Sequence, residues 1–118
     1  LLLTAETYSR FIHPKDKSVR SLFGDAAAAT LISRHDGDTS CIGPFVNGTD
    51  GSGGKHLIVP AGGMRRPRGH ETGIATERES GNFRSDDNLY MNGSEIFTFT
   101  LKAIPRVFQA LLERADLT

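Results

Sequence analysis

Cys41 is the only thiol in the sequence, and a nucleophilic thiol needs a helix N-terminus or an adjacent cation to favour its anion. Its surroundings, Asp38-Thr39-Ser40-Cys41-Ile42-Gly43-Pro44, supply neither a small-residue elbow nor a following helix. Cys41 instead opens a predicted strand, where a free cysteine serves as a small apolar residue. The four histidines, His13, His35, His56 and His70, are scattered through turns and loops. None stands at zinc-ligand spacing from Cys, Asp or Glu. His35 with Asp36 and Asp38 reads as a solvated turn, with weak metal binding as the alternative. No metal site and no catalytic residue are assigned on these grounds. Residues 48–55 superficially resemble a phosphate loop, but the pattern requires Gly at position 49 and Ser or Thr at position 56, where Thr49 and His56 stand. Arg65, Arg66 and Arg68 form a basic cluster. Without interleaved aromatics it lacks the stacking platform of a single-strand nucleic-acid binder. It reads as a solvated loop, with docking of an acidic partner as the alternative.

The elements that must carry these residues alternate between strands and one long helix. Residues 1–5 read as a buried strand, and residues 8–20, polar and holding Pro14, as a loop with room for a helical turn. The tight turn at Gly24-Asp25 leads into Ala26, Ala27, Ala28 and Ala29. Taken alone, four alanines favour a helix. The flanking residues favour a second strand over 27–33, small enough for another layer to pack closely on it. Asp36-Gly37 supplies a hairpin-type turn. Residues 42–46 and 56–59 read as short strands separated by a Gly-, Ser- and Asp-rich loop. Residues 62–88 lack hydrophobic periodicity, and a loop of that length in a compact domain is usually functional or disordered.

The last segment is the clearest helix. Ile96, Phe97, Thr100, Leu101, Ile104, Val107, Phe108, Leu111 and Leu112 draw one apolar stripe at helical spacing. Asn92 or Ser94 caps its start, with Glu95 favourably near the positive end of the dipole. Pro105, lacking an amide hydrogen, is expected to kink the helix or restart it.

At 118 residues with a formal net charge of +0, the chain is long enough for one small domain but short for a layered enzyme with a deep pocket. Its charge argues against general polyanion binding. No apolar run approaches the ~20 residues of a membrane span. One cysteine excludes an intramolecular disulfide and fits a cytoplasmic setting. The opening Leu1-Leu2-Leu3, without Met, leads us to expect the interior of a longer protein.

Three blocks, in order, carry a resemblance. They are Leu1-Leu2-Leu3-Thr4-Ala5-Glu6-Thr7-Tyr8-Ser9, then Leu22-Phe23-Gly24-Asp25 with its alanines, then Tyr90-Met91-Asn92-Gly93-Ser94-Glu95-Ile96-Phe97. Together with Thr49-Asp50-Gly51-Ser52-Gly53 and Leu57-Ile58-Val59-Pro60-Ala61-Gly62-Gly63 they resemble the ketoacyl-acyl carrier protein synthase III family. The resemblance covers nearly the whole chain except about 64–88. It implies an α/β fold class: part of a thiolase-like layered fold, mixed sheet strands plus one long helix, incomplete in this chain. Residues 1–118 would form a single segment that ends the N-terminal half of the synthase and starts the C-terminal half, with 64–88 as a long pocket-side loop.

The resemblance also implies decarboxylating condensation of acyl-CoA with malonyl-acyl carrier protein. The family's catalytic Cys, His and Asn would fall outside this chain, leaving it inactive by itself. Acyl-CoA would be the substrate, with no further cofactor, and acyl carrier protein and a second copy of the chain the partners, with neither nucleic acid nor membrane among them. On the family's pattern, Lys17 stands where an Arg usually meets the adenine end of coenzyme A. Lys keeps the charge but loses the flat stacking surface. Gly93 and Phe97 would line the pantetheine tunnel, and Thr100, where the family favours Ala, would narrow it or add a hydrogen bond. A solvated lysine, a helix cap and a core aromatic are the plainer readings of Lys17, Gly93 and Phe97. The long loop leaves room for a larger acyl group than that of a fatty-acid enzyme. The competing reading is a non-catalytic interaction domain using the Arg-rich loop.

Overall fold

The structure is a computed structural model that describes residues 1–34, 36–38 and 41–117. His35, and the His35/Asp36/Asp38 reading built on it, lie outside the described residues. Three two-stranded antiparallel sheets and one long helix make up the framework. Strand β1 (Leu2–Glu6) pairs with β2 (Ala26–Thr30), in a register that sets Ala29 opposite Leu3 and Ala26 opposite Glu6. Strand β3 (Leu57–Ile58) pairs with β6 (Tyr90–Met91), and β4 (Thr76–Glu77) with β5 (Phe83–Arg84). Between β1 and β2 lie a 3-10 turn, Tyr8–Phe11, and a one-turn helix, α1 (Lys17–Arg20).

Two strands come where expected, but not as a buried pair. Every residue of β1 and β2 is exposed, because none of the described residues stacks on either face of this ribbon. The expected strand over 42–46 is absent. Cys41 is exposed and outside any strand, which corrects its reading as a packed strand residue. The Phe45 carbonyl instead accepts a hydrogen bond from Arg114 Nη1 at 2.7 Å. The block from Thr49 to Gly53 runs into a 3-10 turn, Gly51–His56, with Asp50 as its cap: Asp50 Oδ1 accepts from the Ser52 amide at 2.9 Å and hydroxyl at 2.6 Å.

Helix α2 (Gly93–Arg114) is continuous through Pro105, so of the two expected outcomes, a kink or a restart, it does not restart there. Proline removes one amide donor there, and the i−4 partner Leu101 is exposed, so its carbonyl can turn to water. Asn92 is the cap, its Oδ1 accepting from the Glu95 amide at 3.3 Å and the Ser94 hydroxyl at 2.9 Å.

The structure is open. Its radius of gyration is 19.2 Å, against about 13–14 Å for a compact domain of this length. Its accessible surface is 9396 Å², against roughly 6300 Å² for a compact monomer of the same mass. Among the described residues, only Val19, Ala61 and Leu89 form a buried apolar core, joined by buried Asp16, Asn82, Arg84 and Ser85. The stretch expected to be an irregular excursion thus holds β4, β5 and three of the four buried polar residues.

Candidate functional site

Lys17 is the first residue of α1, and its side chain is exposed with no ionic partner among the described residues. A single helical turn cannot sustain itself in water, because nucleation costs more than one hydrogen bond returns. Its anchorage is therefore external. Asp16, fully buried, caps α1 by accepting through Oδ1 from the amide of Ser18 at 3.0 Å and from the Ser18 hydroxyl. Its other oxygen faces Arg84 Nη1 at 3.3 Å. The Lys17 amide donates to Asn82 Oδ1 at 2.9 Å, and the Phe83 amide donates to the Lys15 carbonyl at 3.4 Å. Three consecutive residues, 82–84, thereby hold three consecutive residues, 15–17.

Arg84 is itself fixed on two further sides. Its Nη2 meets Glu79 Oε2 at 3.0 Å, and its guanidinium lies 4.7 Å from the Tyr90 ring centre. Glu79's own backbone amide, followed by Arg84, holds the Glu79 carboxyl below its ordinary pKa. Tyr90 in β6 leads through Met91 and Asn92 to Gly93, so the residues fixing Lys17 run directly into the start of α2. The Asn92 amide donates to the His56 carbonyl at 2.8 Å, which sets that start against the 3-10 turn.

On α2, Gly93 is exposed, and a Cβ there would meet only Met91 Cε, at 3.9 Å. Nothing in the chain crowds it, so its value is open backbone rather than an obligatory conformation. Phe97 is 63% exposed, which corrects its reading as a core residue. Thr100 is half-buried, and its hydroxyl donates to the Phe97 carbonyl at 2.8 Å. The hydroxyl is thus engaged by its own helix. Phe97 and Thr100, three residues apart, share a face. A cavity of about 750 Å³ lies along another face of α2, lined by Glu95, Phe99, Lys102 and Arg106 with Asp50 and His56, and includes none of the four expected residues.

The arginine cluster is largely engaged within the chain. Arg66 pairs with Asp86 at 2.6 Å, while Arg68 sits 4.0 Å from Asp87 and 5.4 Å from the Phe11 ring centre. Of the three, only Arg65 lacks an ion pair among the described residues. No group of three potential metal ligands occurs among the described residues. No helix among them is long and apolar enough to cross a membrane.

Sequence reasoning missed Asp16, Asn82 and Arg84. Asp16 two residues before Ser18 is a legible cap signal, but nothing local links it to a partner 68 residues away.

Paired antiparallel strands and one long helix, with much of their surface uncovered, make this an incomplete piece of an α/β fold. The chain superimposes on the 2.1 Å crystal structure of a 3-oxoacyl-(acyl-carrier-protein) synthase III with a TM-score of 0.89 and 51% identity, over 100% of this chain and 35% of that one. The family described as 3-oxoacyl-[acyl-carrier-protein (ACP)] synthase III matches residues 1–51. A beta-ketoacyl-[acyl-carrier-protein] synthase III from Caldanaerobacter subterraneus subsp. tengcongensis is 37% identical over 118 residues, 100% of this chain and 33% of the relative. One from Solibacter usitatus is 36% identical over 116 residues, 97% of this chain and 32% of the relative. Over its whole length the chain is similar to 3-oxoacyl-acyl carrier protein synthases III, and it spans about a third of the length of the curated relatives it matches.

Proposed function

We propose that the protein carrying this chain condenses acyl-CoA with malonyl-acyl carrier protein. In that reaction the malonyl carbon–carboxylate bond breaks and releases carbon dioxide. The acyl group has by then passed from acyl-CoA to the enzyme's thiolate, releasing coenzyme A; the carbanion so formed attacks that acyl carbonyl, and the enzyme thiolate leaves. The family's thiolate nucleophile, and the His and Asn that stabilise the enolate, would come from outside residues 1–118. This chain would contribute binding surface: Lys17 toward the nucleotide end of coenzyme A, and Gly93, Phe97 and Thr100 along the pantetheine arm. Residues 64–88 would border the acyl pocket. A cytoplasmic homodimer accompanies this reading.

The observation that carries it is the match over the whole of this chain, and 35% of the other, at 51% identity to a solved synthase III. Lys17 adds support as an exposed cation without an ionic partner among the described residues, on a helix whose backbone is fixed from below. The alternative, an interaction domain using the Arg-rich loop, has less behind it, because Arg66 and Arg68 face Asp86 and Asp87.

The test is carbon dioxide release from malonyl-acyl carrier protein by the full-length protein, across acyl-CoA thioesters of graded chain length. Release dependent on acyl-CoA supports the reading, and no release with any thioester overturns it. Lys17→Ala should raise KM for acyl-CoA by roughly three- to tenfold, as loss of one exposed charge contact does, and more so at low salt.

A further inference from the structure

We propose that Asn82, together with the buried Asp16–Arg84 pair, is a positioning element for coenzyme A recognition: it fixes the backbone of Lys17 and ties it to the opening of α2. This rests on the reading of Lys17 as the nucleotide-contacting cation.

Three observations carry it. First, α1 is one turn long, so its direction is set by what grips it rather than by its own hydrogen bonds. Second, the grip is residue for residue. Phe83 donates to Lys15, Arg84 pairs with Asp16, and Asn82 accepts from Lys17. Lys17 therefore keeps a mobile side chain on an immobile backbone, which leaves less ordering to be lost when the ammonium meets a phosphate. Third, the gripping stretch is continuous with the other proposed binding element. Arg84 stacks on Tyr90, and Tyr90 pairs with Ile58 two residues before the α2 cap. Asp16 and Arg84 are nearly out of solvent, at 0% and 8% exposed, so they do not touch ligand themselves. They act through Lys17.

The ligand chemistry addressed is the phosphorylated nucleotide end of a coenzyme A thioester, not its acyl group or thiol. The experiment compares acyl-CoA with acyl-pantetheine, which lacks the nucleotide, as substrates of the full-length enzyme. Asn82→Ala and Asp16→Asn loosen α1 through different contacts. Each should raise KM for acyl-CoA roughly three- to tenfold, the scale of losing one charge contact. KM for acyl-pantetheine and kcat for both substrates should be unchanged. Lys17→Ala is the control for the underlying reading. If Lys17→Ala leaves KM for acyl-CoA unchanged, that reading fails and this inference with it. If Lys17→Ala raises it while neither Asn82→Ala nor Asp16→Asn does, the positioning role alone is overturned. A parallel rise for both substrates, or a fall in kcat, assigns these residues to general folding and likewise overturns it. Thermal unfolding of each variant identifies any that fails to fold. Should Asp16→Asn do so, Asn82→Ala, which removes a single acceptor, decides the matter.

Discussion

Ser9 and Asp25 close on each other twice: the Ser9 amide reaches Asp25 Oδ1 and its hydroxyl reaches Asp25 Oδ2, each at 2.7 Å. Ser9 follows β1 and Asp25 immediately precedes β2, so this clasp closes the base of the β1–β2 ribbon. It gives a physical reason for the aspartate of the Phe23-Gly24-Asp25 turn. The aromatic before it contributes too, since the Phe23 ring stacks on Tyr8 with centres 5.2 Å apart.

The clasp makes an acid-sensitivity prediction. Both Ser9 hydrogen bonds, the backbone one first, hold the Asp25 carboxyl below its ordinary pKa. A group with a depressed folded-state pKa stabilises the fold above its unfolded value and loses that contribution as pH falls through the folded value. Stability from Asp25 should therefore be flat from pH 5 to 8 and decline below about pH 4. Asp25→Asn should remove part of that acid step. Circular dichroism through an acid titration checks it, and superimposable profiles for the two proteins would contradict the clasp.

Arg84→Met should be the most damaging single change in the 82–84 grip. It leaves the Asp16 carboxylate buried opposite an apolar side chain, and breaking a buried pair from one side costs about 3–5 kcal/mol. Adding Asp16→Asn should recover part of that loss, because the stranded charge is gone. Denaturant unfolding of the two single variants and the double variant in the full-length protein gives the coupling directly. A loss below about 1 kcal/mol for Arg84→Met would mean that water reaches Asp16.

The sequence showed the helix, the first two strands and a resemblance outside about 64–88, because those rest on local pattern: the stripe from Ile96 to Leu112, the Asn92 cap, the Gly24-Asp25 turn. It misled where partners are distant. Leu2 and Leu3 are apolar enough to be buried, yet none of the described residues covers them. Residues 64–88 looked irregular because β4 and β5 are two residues each, too short to show alternation. For the candidate site, Lys17, Gly93, Phe97 and Thr100 are proposed from the resemblance. Asn82 and Arg84, which fix one of them, were not, since a polar residue in a polar run gives no sign of burial.

Phe97→Ala separates packing from binding. At 63% exposed, Phe97 should cost the 118-residue chain no more than about 1 kcal/mol when truncated, not the 3–5 kcal/mol of a buried aromatic. In the full-length protein the same change should weaken acyl-CoA and acyl-pantetheine alike, because an apolar wall for the pantetheine arm serves both. Isothermal titration with the two thioesters checks this. Normal affinity for both would place Phe97 outside the tunnel.

The 118-residue chain, prepared alone, should self-associate. Among the described residues, strands β1 and β2 pair only with each other, so each presents one row of unpaired backbone donors and acceptors at the outer edge of the ribbon. Such edges template pairing with another chain unless charge or covering blocks them. Here they carry Leu3 on one side and the alanines on the other, beside exposed Leu1, Leu2, Leu31 and Ile32. A second apolar surface lies on α2, where Phe97, Leu101, Ile104 and Phe108 are each more than half exposed at helical spacing. Pairing ribbon edges satisfies the backbone groups and covers the leucines in one step, whereas a monomer must hold both in water. Sedimentation velocity over a hundredfold concentration range should show dimers or larger species growing with concentration. Charged substitutions at Leu2 and Leu31 should suppress them more than charged substitutions on α2. A compact monomer at every concentration would show that the chain closes its own sheet, and that the exposed edges described for β1 and β2 do not persist in solution.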